Sequence, residues 1–144
     1  GVSGIEGSTS TAAGAACVGE EMTVLITGDM SFSYDVNGLS STYLSPRFKI
    51  IVMCNGGGGI FRFIKPTSDL PELETCFEIH RDISVEKYAD LFGLRYFELN
   101  DEKSAAEVLS LFFAEKDRPA ILAVHTPNVY NAEVLRGYFR RSRQ

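Results

Sequence analysis

The sequence has no tryptophan, two histidines and three cysteines in 144 residues. Cys17, Cys54 and Cys76 are odd in number, widely spaced and without a C-x-x-C pair. That excludes a disulfide framework or a zinc ribbon and fits reduced thiols in a cytoplasmic protein. No apolar run approaches the roughly 20 residues of a membrane span, and no stretch reads as a signal peptide. A basic surface is missing too. The net charge is −5, with no basic stripe interleaved with aromatics, which argues against a nucleic-acid partner. His80 and His125 stand alone, without ligands at metal spacing, and read as structural. Internal repeats and low-complexity linkers are absent.

What is present is a chain 44% hydrophobic and 23% charged, the composition of one globular domain able to bury about two-thirds of its unfolded surface. The pattern alternates short strands with helices. Ser8-Thr9-Ser10 is expected to cap a small-residue helix running to Val18, with Ala12, Ala13, Ala15 and Ala16 allowing close packing. Thr23–Thr27 and Lys49–Met53 are continuous apolar, β-branched runs, as in strands buried on both faces of a parallel sheet. Residues 32–44 are long enough for a helical crossover between them. Residues 62–78, with Pro66 and Pro71, read as an irregular surface loop with space for one helical turn. A helix at 84–91 capped by Ser84, a strand at 95–99, an amphipathic helix at 102–114, a strand at 120–124 and a helix at 132–139 follow, the last ending in the basic run Arg140 to Arg143. Together these predict a three-layer parallel α/β domain. The chain opens on a loop with no strand before it, so it is expected to be a piece of a larger, multidomain enzyme.

The stretch from Thr23 to Phe61 carries the chemistry. The first strand stops at Gly28-Asp29 and the second at Cys54-Asn55, followed by Gly56 to Gly59. If these strands are neighbours, Asp29 and Asn55 share the carboxyl-end crevice where open α/β sheets bind ligands. One ionised oxygen, one amide oxygen and glycine backbone that can bring a carbonyl close make an all-oxygen set suited to Mg²⁺, which takes its remaining ligands from water and phosphate. Ser31 is expected to cap the crossover helix, whose N-terminal N–H groups would face a diphosphate. A Rossmann fingerprint is excluded. Neither Gly1, Gly4 and Gly7 nor the Gly56 to Gly59 run both follows a strand and opens a helix in G-x-G-x-x-G form.

Gly28-Asp29 followed 26 residues later by Asn55 resembles the thiamine diphosphate motif, GDG with a mid-twenties gap and then NN. Three flanks, GVSGIEGSTSTAAGAA, GDMSFSYDVNGL and NGGGGIFRFI, are similar to the cofactor-binding C-terminal domain of the 2-succinyl-5-enolpyruvyl-6-hydroxy-3-cyclohexene-1-carboxylate synthases of menaquinone biosynthesis. AILAVHTPNVYNAEVL near the C-terminus extends the likeness almost end to end. Two positions depart from the usual motif: Met30 replaces its second Gly, and Cys54 its first Asn.

The resemblance implies the fold of a thiamine diphosphate-binding domain. It also implies Asp29, the Asn55 side-chain oxygen and the Gly57 carbonyl as ligands of Mg²⁺, with Mn²⁺ as a substitute. Gly4, Ile5, Gly28, Met30, Ser31, Ile60 and Phe61 would complete the cofactor site, Ile5 as the apolar wedge between the two thiamine rings and Ile60 and Phe61 as walls. Core packing is the alternative role for these three apolar side chains. The implied transferase reaction is decarboxylation of 2-oxoglutarate and addition of the product to isochorismate. Its activating glutamate would sit on a separate pyrimidine-binding domain, supplied by another subunit of a homo-oligomer. No residue here matches that glutamate (Glu6, Glu20 and Glu21 lie in no such context), so no catalytic residue is assigned and the domain alone is expected to be inactive. A domain of an acetolactate synthase-like enzyme and a non-catalytic assembly module are the alternatives.

Overall fold

The computed structural model describes residues 4–78, 80–81 and 83–141. Four strands lie in one parallel sheet among these residues: β1 (Thr23–Gly28), β2 (Phe48–Cys54), β3 (Arg95–Leu99) and β4 (Ala120–His125). Their spatial order is β1-β2-β4-β3. The register sets Gly28 beside Met53 and Cys54 beside His125. The carboxyl ends of β1, β2 and β4 therefore open on the same edge, which is where a parallel sheet exposes its binding crevice.

Helices flank the sheet: α1 (Ser8–Val18), α2 (Asp29–Tyr34), α3 (Gly59–Phe63), α4 (Val85–Phe92), α5 (Ala105–Ala114) and α6 (Asn128–Arg141). One face of the sheet presents Phe48, Ile50, Val52, Ile121 and Ala123 to Ala13 and Ala16 of α1, Phe32 of α2 and Val85 and Ala89 of α4. On the other face Phe112 of α5 is fully buried with Ala120 and Leu122, against Ile51 and Phe97. This is the expected three-layer α/β arrangement. β2 and β4 are the enclosed strands, as their unbroken apolar runs require. β1 is different. It is an edge strand whose Val24 and Ile26 face outward, so the expectation of burial on both faces fails there. An apolar run shows that a strand can be buried, whereas its place in the sheet decides whether it is.

Several local expectations are corrected. The α1 cap position is Gly7, in the left-handed conformation at φ 85°, and no side chain caps the helix. The Ser10 N–H and hydroxyl both donate to Asp35 instead, at 2.7 and 2.6 Å, and these bonds hold the Asp35 carboxyl below its usual pKa. The crossover is only the six residues of α2 plus a 3-10 turn at Val36–Ser40. Residues 62–78 fold into a 3-10 turn at Thr67–Asp69 and a π-helical turn at Leu73–Phe77, and they bury Leu73 and Glu78. The last helix starts at Asn128, four residues before the expected start. The cap of α4 is as expected: Ser84 Oγ accepts from Lys87 N at 3.3 Å, and Gly93 ends the helix at φ 70°. Gly1 and Arg143 lie outside the described residues.

Phe112 meets Phe97 edge-to-face at 5.7 Å between centroids and has no exposed surface. Phe112→Ala should destabilise the domain by about 3–5 kcal/mol, the usual cost of truncating a buried phenylalanine. Urea unfolding measures it, and a loss under about 1 kcal/mol would show that α5 is not holding this face of the sheet.

Candidate functional site

The site begins with two backbone reversals. β1 runs out at Gly28, and Asp29 enters α2 with its carboxylate buried, 5% exposed. Its Oδ1 accepts the Met30 N–H at 2.7 Å. Its Oδ2 accepts the N–H groups of Asn55 at 3.0 Å and Gly56 at 2.8 Å. Asp29 thereby ties the end of β1 to the turn leaving β2, across the 26 residues that separate it from Asn55. An ionised carboxylate is an acceptor with about four lone-pair sites, so three N–H donors leave acceptor capacity on it.

The next turn is made of glycine because its backbone demands it. Gly56, Gly57 and Gly58 have φ of 84°, 97° and 50°, a region that L side chains rarely enter. Asn55 Oδ1 accepts the Gly57 N–H at 3.1 Å, an Asx-type turn that points the amide oxygen back over the loop. Gly59 begins α3 in a confined space. A Cβ there would sit 2.7 Å from Asn55 Nδ2 and 2.3 Å from Asn128 Oδ1. The Gly56 carbonyl accepts the Arg81 N–H at 3.2 Å, and His80 lies beside the same glycine. Among the described residues no three of His, Cys, Asp and Glu gather as metal ligands.

Asp29, Asn55 and Gly57 thus lie on adjoining turns linked by these bonds, with Gly28 and Met30 flanking them. Ser31 has a different role from the expected cap. Gly28 occupies the cap position of α2, while Ser31 Oγ donates to the Ile5 carbonyl and lies 3.1 Å from Ser8 Oγ. The Ile5 loop is thereby tied onto α2, beside Asp29. The Ile5 N–H donates to Glu6 Oε2 at 2.9 Å, and the Glu6 carboxylate also lies against Gly4. The side chains of Ile5 and Ile60 are 49% and 63% exposed, as surfaces offered to something outside the chain. Phe61 is half-buried with its ring 5.6 Å from that of Phe77, packed within the domain. Met30 also lines a cavity of about 310 Å³ with Ser33, Tyr34, Arg81, Ile83 and Tyr88.

Cys54 does not replace the hydrogen bonds an asparagine would make. Its Sγ donates to the Val52 carbonyl at 3.6 Å, and burial, with Asp29 and Glu98 nearby, pushes the thiol up to about 11 against a backbone hydrogen bond with Val124 that lowers it. Its backbone carbonyl accepts the Thr126 N–H at 2.9 Å, which joins β2 to the start of the chain leaving β4.

Sequence reasoning passed over the layer behind the glycine loop. Asn128, at the start of α6, donates from Nδ2 to the Gly57 carbonyl at 3.3 Å and to Glu78 Oε1 at 2.9 Å. Glu78 in turn accepts both Arg62 Nε at 2.8 Å and Nη2 at 2.5 Å. These bonds raise the Arg62 pKa further, and Arg62 pulls down that of the more exposed Glu74. The strand-end rule that located Asp29 and Asn55 would have located Asn128 as well, since it follows β4 by three residues. His125 lies 3.0 Å from Glu98, which also accepts the Tyr96 hydroxyl at 3.2 Å.

A buried Asp after one strand, an Asn after its parallel neighbour and a glycine turn following that Asn make the arrangement of a thiamine diphosphate-binding domain. Residues 1–124 match the family described as thiamine pyrophosphate enzyme, C-terminal TPP binding domain, and the chain belongs to that family. It is 49% identical over 139 residues to the 2-succinyl-5-enolpyruvyl-6-hydroxy-3-cyclohexene-1-carboxylate synthase of Porphyromonas gingivalis, covering 96% of this chain and 24% of that protein. Its identity to the synthase of the same name from Flavobacterium johnsoniae is 43% over 140 residues, 97% of this chain and 25% of the relative. With that of Cytophaga hutchinsonii it shares 35% over 144 residues, 100% of this chain and 26% of the relative. The chain spans about a quarter of the length of these curated relatives.

The three thiols should differ in reactivity. Cys17 and Cys76 are exposed and Cys54 is half-buried with its pKa near 11. At pH 8 iodoacetamide should alkylate the first two well before Cys54, whose rate should keep climbing with pH toward 11, because the thiolate is the nucleophile. Mass spectrometry of timed digests reads this out. Equal rates at pH 8 would contradict the assigned burial.

Proposed function

We propose that this chain is the diphosphate- and Mg²⁺-binding domain of a thiamine diphosphate-dependent carboligase, a transferase that decarboxylates 2-oxoglutarate and adds the product to isochorismate in menaquinone biosynthesis. The observation that carries the reading is the Asp29–Asn55–Gly57 constellation at two adjoining parallel strand ends. The relatives' shared name gives the product that such a reaction would form. The donor set fits a hard cation: one carboxylate, one neutral amide oxygen and one backbone carbonyl, with room for phosphate oxygens and water. Mn²⁺ has the same preferences and serves as a probe.

The bound cofactor supplies the electron sink for decarboxylation and carbon–carbon bond formation. The residues of this chain do the holding. Asp29 gives the cation its charge, Asn55 and Gly57 complete the protein's share of its shell, and Ile5 and Ile60 offer apolar surface to the organic part of the cofactor. The glutamate that activates the aminopyrimidine belongs to a pyrimidine-binding domain, which a homo-oligomer supplies from another subunit. The outward Val24 and Ile26 of β1 and the exposed Ile5 and Ile60 support packing against such a partner. No helix among the described residues is long and apolar enough to cross a membrane. The cytoplasm, where free thiols stay reduced, is the proposed compartment.

Calorimetry of the chain with thiamine diphosphate tests the cation site. Binding should require Mg²⁺, should be weaker than micromolar because the pyrimidine half of the site is missing, and should vanish on Asp29→Asn. Binding indifferent to Mg²⁺ and to Asp29→Asn would refute the ligand assignment. The chain on its own should give no turnover with 2-oxoglutarate and isochorismate, followed by decarboxylation of labelled 2-oxoglutarate. Turnover by the purified chain would show that it carries its own activating group.

A further inference from the structure

We infer that Asn128 is a positioning residue for the Gly57 carbonyl, itself oriented by the buried Arg62–Glu78 pair. The inference rests on the reading of Gly57 as a cation ligand. Gly57 sits in a run of three glycines at positive φ, where no Cβ restrains the backbone. Such a peptide can rotate at little steric cost, so the direction of its carbonyl must be set by partners. Asn55 Oδ1 takes the Gly57 N–H and so fixes only the preceding peptide, whereas Asn128 Nδ2 approaches the Gly57 oxygen itself at 3.3 Å. A carbonyl has two lone pairs, and one such bond leaves the other for a cation.

Asn128 is well placed for this because its own direction is fixed. Its residue is 8% exposed, and its amide nitrogen also donates to Glu78 Oε1 at 2.9 Å. The two N–H groups of an amide lie in one plane, so anchoring one on a carboxylate aims the other. Glu78 is 1% exposed and is gripped by the Arg62 guanidinium through two bonds. Arg62 stands on α3, the helix that starts where the glycine turn ends. The Glu78 side chain is fully buried and that of Arg62 17% exposed, and the guanidinium bonds both carboxylate oxygens, which fixes their direction. The Asn128 and Asn55 side chains both fill the space that a Cβ on Gly59 would take. The chain thus runs Arg62, Glu78, Asn128, Gly57 carbonyl, and connects residues up to 71 positions apart.

The test is Mn²⁺ binding followed by electron paramagnetic resonance, in the protein at its native length with saturating thiamine diphosphate. Asn128→Ala removes the donor, and Glu78→Gln removes the charge that aims it. Each should weaken Mn²⁺ about tenfold or more, as loss of outer-shell partners usually does. Each should also change the hyperfine line shape of the bound ion while the far-UV circular dichroism stays native. A purely structural role would lower the melting temperature and leave Mn²⁺ affinity and line shape alone; that outcome in folded Asn128→Ala overturns the inference. If Asn128→Ala does not fold, the same readout on Glu78→Gln decides. Failure of the underlying reading looks different: wild-type protein would bind no Mn²⁺, or would bind it equally well after Asp29→Asn.

Discussion

The Asp29 carboxylate is the interaction on which the rest of this domain's edge depends. Three backbone N–H groups from two chain segments converge on its two oxygens. Hydrogen bonds to a charged acceptor contribute more than neutral ones, about 1.5–3 kcal/mol each, and orphaning a buried carboxylate costs at least as much. The group sits where β1 ends and α2 begins, and it reaches sideways to the turn after β2. Parallel pairing of β1 and β2 makes that reach short, and the carboxylate then holds the two strand ends in register.

Everything beyond Asp29 is a matter of controlling backbone that has no side chains to control it. The glycine turn is held by its neighbours at two successive peptides: Asn55 and Arg81 bond the two ends of the Gly56–Gly57 peptide, and Asn128 bonds the carbonyl of the next. Arg62 pairs with Glu78 and Glu74, and Glu78 reaches the turn through Asn128. On the open side the Ile5 loop is tied to α2 through Ser31, so the apolar surface and the polar pocket share one support.

At the opposite end of the sheet a second buried charge meets its needs in another way. The Lys49 ammonium donates to the Pro46 carbonyl at 3.0 Å and the Glu115 carbonyl at 2.7 Å, stapling the start of β2 to the chain leaving α5. Burial lowers its pKa, opposed by the Glu115 carboxylate. Within the lowered range the unfolded chain binds the proton more readily than the folded one, so this group favours the folded state increasingly as pH rises there. Backbone carbonyls at the ends of elements are otherwise unpaired, which is why a lysine can be retained there.

The alternation of apolar runs with helical patterns was enough to read the parallel sheet, because strand burial and crossover length are local properties of sequence. Gly28-Asp29 and Asn55 were legible for the same reason: a strand end is visible where the apolar run stops. Three things were not. The shortness of α2 came from Phe32 and Leu39 both having to reach one core within a brief crossover. The exposure of β1 depended on which strand lay at the edge, a global fact. The roles of Arg62, Glu78 and Asn128 were hidden because each of these polar residues looks ordinary in its own segment. Only folding brings residues 62, 78 and 128 behind one glycine peptide, where burial makes every unmatched donor or acceptor costly and so fixes who must bond to whom.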